Sequence, residues 1–143
     1  MEKAIPKVEA FLRRFELNNN KSDFSAAVSQ FADTFLAAGP QGAQSVKASD
    51  FALALPKRKQ LFEGFGCHSM QLVSVDAPSL GDRYSIAHTQ WKMNFANNDL
   101  PTEGMFVNST FIVDTSEADF RIVLYLAHQD VMLMLKERAV RNA

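Results

Sequence analysis

The chain has 143 residues, 47% of them apolar and 12 of them phenylalanine, which supplies a real core for one domain and argues against disorder. Lys and Arg number 15 against 16 Asp and Glu, in no block of one sign, so neither a basic nucleic-acid face nor a polybasic membrane anchor has compositional support. The lone cysteine, Cys67, excludes an intrachain disulfide and fits a reducing compartment.

The opening MEKAIPKVEA lacks the apolar stretch of a secretion signal, and no run approaches the roughly 18 apolar residues of a membrane span. The expectation is a soluble cytoplasmic protein in which residues 1–143 form a single domain, with no internal repeat or linker dividing it.

Val8, Phe11, Leu12 and Phe15 recur at i, i+3, i+4 and i+7, which predicts a first helix with these side chains on one face. Asn18, Asn19 and Asn20 stop it, and Ser22 or Asp23 is placed to cap the next helix. That second helix takes Phe24, Val28, Phe31, Ala32 and Phe35 as its apolar stripe and ends at Gly39-Pro40. From Ser45 to Leu55 the period reads as two: Phe51, Leu53 and Leu55 alternate with Asp50, Ala52 and Ala54, predicting a half-buried strand. Pro56 then suits the first turn of a third helix, where a missing amide costs nothing. Lys57, Arg58 and Lys59 read as its solvated start, since an anion-binding role would want the free helix amides as well. Leu61, Phe62 and Phe65 form its apolar side, and Gly64 and Gly66 each offer a stop.

Four strands follow: Cys67 to Val75, Tyr84 to Phe95, Met105 to Val113 and Phe120 to His128, with a long loop over 97–104 and a short final helix. Consecutive strands with short connections pair antiparallel, so the class is α+β, a curved antiparallel sheet with helices on one face. Alternation puts Ala87, Trp91, Met93 and Phe95 inward, together with Met105, Val107, Phe111 and Val113. On the last strand Phe120, Ile122, Leu124 and Leu126 are expected to face the helices, and Val123, Tyr125 and Ala127 the other way. Both faces of that strand are apolar, so both require cover. Helices supply one cover; the second is expected to be another copy of the chain, giving a homodimer through the sheet.

A helical N-terminal part feeding a curved sheet, a mid-strand tryptophan in HTQWKMNF and a closing FRIVLYLAHQD together resemble the nuclear transport factor 2-like superfamily, its small bacterial SnoaL-like and ketosteroid-isomerase-like domains above all. The resemblance implies a cystatin-like cone: helices close the concave face of the sheet around an apolar pocket, and pairs form through the sheets. It does not fix an activity, because one scaffold hosts isomerases, cyclases, dehydratases and non-enzymatic adaptors.

The steroid-isomerase pattern implies a tyrosine on the first helix and a pocket carboxylate. Phe11 and Phe15 occupy that helix, and the two tyrosines, Tyr84 and Tyr125, both fall on strands. The remaining acid–base candidates are Asp50, whose carboxylate would be tuned upward if buried, and His128 at the end of the last strand. Against these stand plainer roles, an exposed carboxylate on an edge and a hydrogen-bonded strand-end histidine. Asp130 is better read as the cap of the final helix, and His128 with Asp130 is two ligands without the third a metal needs. Cys67 and His68 are strand neighbours that point to opposite faces, so they do not form a nucleophile–base pair. No cofactor is implied.

Trp91, Met93, Phe111 and Leu124 would wall a cavity, with His128 as its polar contact. Two functions stay open: a pocket for a small, largely apolar molecule, and a dimeric interaction module whose interior is filled by its own Phe and Leu side chains.

Overall fold

The computed structural model describes residues 4–95 and 104–141. It runs α1 (Ala4–Asn20), α2 (Phe24–Ser29), β1 (Phe31–Gly39), β2 (Gly42–Lys47), α3 (Ala48–Gly64), β3 (Cys67–Asp76), β4 (Ser79–Leu80), β5 (Tyr84–Phe95), β6 (Met105–Asp114), β7 (Arg121–Ala127) and α4 (Val131–Arg141). The class is α+β: a curved, unclosed sheet of seven strands with helices on its concave face. No helix among the described residues is long and apolar enough to cross a membrane.

The first helix forms as its spacing requires and buries Val8, Phe11 and Leu12. Its left-handed stop comes two residues past the asparagines, at Ser22 with φ 60, and Asp23 caps α2 by accepting a hydrogen bond from the Ala26 amide at 3.2 Å. Two elements differ from the sequence expectation. The second helix ends at Ser29, and Phe31 and Phe35 belong to β1. The stretch over 48–55 is helix, so Pro56 lies inside α3 rather than at its first turn. In each case the apolar residues stand four apart, and four residues is close to one helical turn and equals two strand repeats. Phe31 with Phe35, and Phe51 with Leu55, satisfy both periods. Leu53, the residue that only a strand would turn inward, is 72% exposed.

The strand order is β2-β1-β7-β6-β5-β3, with β4 pairing β5 alone. All pairings are antiparallel except β1 with β7, which is parallel, so the sheet is mixed rather than wholly antiparallel. Edge strand β3 would leave backbone groups bare, and α1 covers them with side chains. Arg13 donates to Leu72 O at 2.6 Å, the Leu72 amide donates to Glu16 at 2.6 Å, and Asn20 both donates to and accepts from Met70 backbone at 2.8 and 3.0 Å.

The last strand carries the correction that matters most for the site. Ile112 pairs with Leu124 and Val113 with Ile122, so Val123 is an unpaired bulge residue. One extra residue reverses the alternation beyond it. Ile122 faces the core at 0% exposure, but past the bulge it is Tyr125 and Ala127 that turn inward, while Leu124 and Leu126 turn outward. The expected faces of residues 124–127 are therefore exchanged.

The core lies between the sheet and helices α1, α3 and α4. Phe15 packs edge-on against Trp91 and Phe111, and Phe51 of α3 packs against Phe31 and Phe35. Leu135 of α4 closes the same layer. The loop expected over 97–104 lies outside the described residues, apart from Gly104.

Candidate ligand pocket

A cavity of about 110 Å³ opens between the sheet and the helices. Its wall is aromatic and aliphatic: buried Trp91 from β5 and Val107 and Phe111 from β6, with half-buried Phe15 from α1, Phe51 from α3 and Tyr125 from β7. Tyr125 stacks on Phe111 with ring centroids 5.2 Å apart and planes 7° from parallel, an offset stack that joins β6 to β7 at the cavity. The rim is polar, with Asn20 from α1, Arg58 and Lys59 from α3, and His68 and Ser69 from β3.

One polar knot sits in the apolar wall. The Trp91 indole N–H donates to Thr89 Oγ1 at 2.8 Å and to Ser109 Oγ at 3.1 Å. Thr89 Oγ1 donates in turn to Ser109 O at 2.8 Å, and its oxygen lies 2.8 Å from Ser109 Oγ. All three residues are buried and every polar atom has a partner, which fixes the indole plane against the cavity. Of the three, Trp91 and Ser109 reach the wall.

The sequence candidates divide. Trp91 and Phe111 stand on the wall. Met93 is on the same face of β5 but is fully buried beside the cavity, not on it. Leu124 faces outward opposite Ile112 because of the bulge at Val123. His128 is exposed, in the bend after β7, where its Nε2 lies 2.7 Å from Thr110 Oγ1; His88 Nδ1 is 3.2 Å from the same oxygen. That trio sits on the outer face of the sheet. Asp50 is exposed in the first turn of α3, since the stretch holding it is helix, and it lies away from the cavity. Asp130 caps α4, accepting from the Leu133 amide at 3.0 Å.

Sequence reasoning missed Tyr125, turned inward by the bulge, and read Arg58 as part of a solvated helix start, whereas a helix starting at Ala48 places it on the cavity side. The bulge leaves no mark in the residue pattern, and Arg58 was hidden by the misplaced helix start.

Chemically the wall is quiet. Burial pushes the Cys67 thiol above its ordinary pKa, and it donates to Ser69 O at 3.6 Å, so it stays protonated. Glu16, the one carboxylate on the wall among the described residues, accepts from the Leu72 amide and faces Arg13 at 3.6 Å. Among the described residues no group of three or more His, Cys, Asp or Glu side chains is arranged to hold a metal ion.

No family model and no curated protein matches the chain. Solved structures do. An NTF-2-like protein of unknown function from Shewanella oneidensis superposes with TM-score 0.69 at 11% identity, over 90% of this chain and 100% of that one. An NTF2-like protein with a cystatin-like fold from Novosphingobium aromaticivorans gives 0.68 at 11% identity, over 90% and 85%. Aln2 from a Streptomyces species gives 0.72 at 8% identity, over 94% and 96%. At such identities the likeness is one of architecture, and the architecture is unambiguous: the chain has the NTF2-like, cystatin-like fold.

Proposed function

We propose that the chain binds a small, largely apolar molecule in this cavity and works as a homodimer paired through the outer face of its sheet. The observation that carries the first part is the cavity itself, open at a polar rim and walled by Trp91, Phe111 and Tyr125. Its volume of about 110 Å³ is well below the ~300–1,000 Å³ of sites for drug-sized ligands. It is nearer the ~150 Å³ of an apolar cavity that takes up benzene. The ligand is therefore about one ring in size. The reading stops at binding, because the wall's carboxylate is engaged by Leu72 and Arg13 and its thiol is protonated.

The dimer rests on the outward row Leu36, Ile86, Ile112, Leu124 and Leu126, to which Phe106 adds a ring 48% exposed. An apolar row crossing four adjacent strands is the kind of surface a second copy covers. The unpaired thiol of Cys67 suits a reducing cytoplasm.

Thermal-shift titration with single-ring aromatic compounds tests the pocket. They should raise the melting temperature, and Ala127→Phe, which pushes a ring into the cavity, should abolish the shift. A wild-type chain indifferent to every such compound would leave the interaction module with a closed interior as the better account.

A further inference from the structure

The rim of the cavity holds an arginine that no carboxylate answers among the described residues. Arg58 lies over the Phe62 ring, 4.9 Å from its centroid, and both line the cavity. Among the described residues its guanidinium forms no ion pair and no hydrogen bond. Its neighbour Lys59 is different: Nζ donates to Asn19 O at 3.0 Å and Asn20 O at 3.1 Å, so its charge is engaged by the carbonyl end of α1. Glu16, the only carboxylate on the wall among the described residues, is turned to the Leu72 amide and to Arg13.

From the side of α4, Arg138 lies 3.6 Å over the Phe95 ring, also without an ion pair among the described residues. The fields of Arg138 and Arg58 both reach Cys67 on the cavity wall. The chain carries a formal net charge of -1, so this positive mouth is local and not the spill of a general surplus. With the guanidinium over an apolar ring and no partner among the described residues, the Arg58 N–H donors are free to offer the fork that matches a carboxylate.

We propose that the pocket selects a small cyclic carboxylate, its ring against Trp91 and Phe111 and its carboxylate on Arg58 at the rim. This rests on the cavity being a binding pocket, and the experiment separates the two. Benzoate, benzamide and benzyl alcohol, which share a ring and differ in charge, are titrated by calorimetry and by the fluorescence of Trp91, the sole tryptophan of the chain.

Benzoate should bind about tenfold or more tighter than either neutral probe, as a charge-assisted fork allows, and the margin should narrow with added salt. Arg58→Gln should erase the margin, and Arg58→Lys should restore part of it, with circular dichroism confirming that both variants fold. Arg138→Gln should narrow it less, since that residue stands back from the wall. Neutral probes binding as tightly as benzoate would overturn the carboxylate and leave the pocket standing, as would a margin untouched in Arg58→Gln. Failure of all three probes to bind would overturn both.

Discussion

Asp114 ties the end of β6 to the start of β5. Arg83 donates to its carboxylate from Nε, 3.2 Å from each oxygen, and from Nη2 at 2.9 Å, and the Ser116 amide adds a fourth bond at 3.0 Å. Chiefly through the Arg83 hydrogen bonds, the carboxyl pKa is lowered from 3.8 to about 2. A folded-state pKa below the unfolded one stabilises the fold above the unfolded value, and that contribution is lost as pH falls from about 4 through about 2. The group is close to solvent, so the effect on melting is small, but the titration is direct. In Arg83→Ala the Asp114 carboxyl carbon, followed by NMR, should titrate closer to an ordinary aspartate. Single residues were unevenly legible in the sequence. Trp91 and Phe111 could be placed by alternation alone, because β5 and β6 pair without interruption. Arg58 and Tyr125 could not, since each depends on where a neighbouring irregularity falls.

At the scale of elements, the misread boundaries share the four-residue ambiguity, and Pro56 compounded one of them. Read as a helix start, it pulled the boundary eight residues too late; α3 in fact begins at Ala48 and carries the proline in its interior. There it withholds the amide that Ala52 O would accept and crowds that carbonyl. Pro56→Ala should therefore stabilise the protein by about 1–3 kcal/mol, read as a higher urea midpoint with an unchanged slope. An unchanged or lower midpoint would mean that the ring itself packs usefully against its surroundings. Elements without such conflict were legible almost to the residue: β5 was expected at Tyr84 to Phe95 and occupies those bounds.

For the whole molecule, the order of elements was enough to expect an α+β sheet under helices, but not enough to place β1. Its apolar spacing fits two periods, and its parallel partner lies at the far end of the chain. The outward row on β7 also depends on Val123, whose bulge decides which leucines meet solvent. Light scattering at micromolar concentration should give twice the 16.0 kDa chain mass, and Leu124→Asp combined with Leu126→Asp should halve it while circular dichroism stays native. A monomer mass for the wild type would remove the dimer.

The parallel seam between β1 and β7 also governs when the protein can become itself. On a ribosome, Phe31–Gly39 emerges well before Arg121–Ala127, so the backbone groups it offers to that strand wait while β2 to β6 are made. Even the Gln30 carbonyl, which receives the Ile122 amide at 2.8 Å, is held open for that last stretch. A nascent chain therefore carries the β1 margin unpaired until β7 arrives, whereas the β6 margin, made just before β7, waits only briefly; insertion of β7 between them closes both at once.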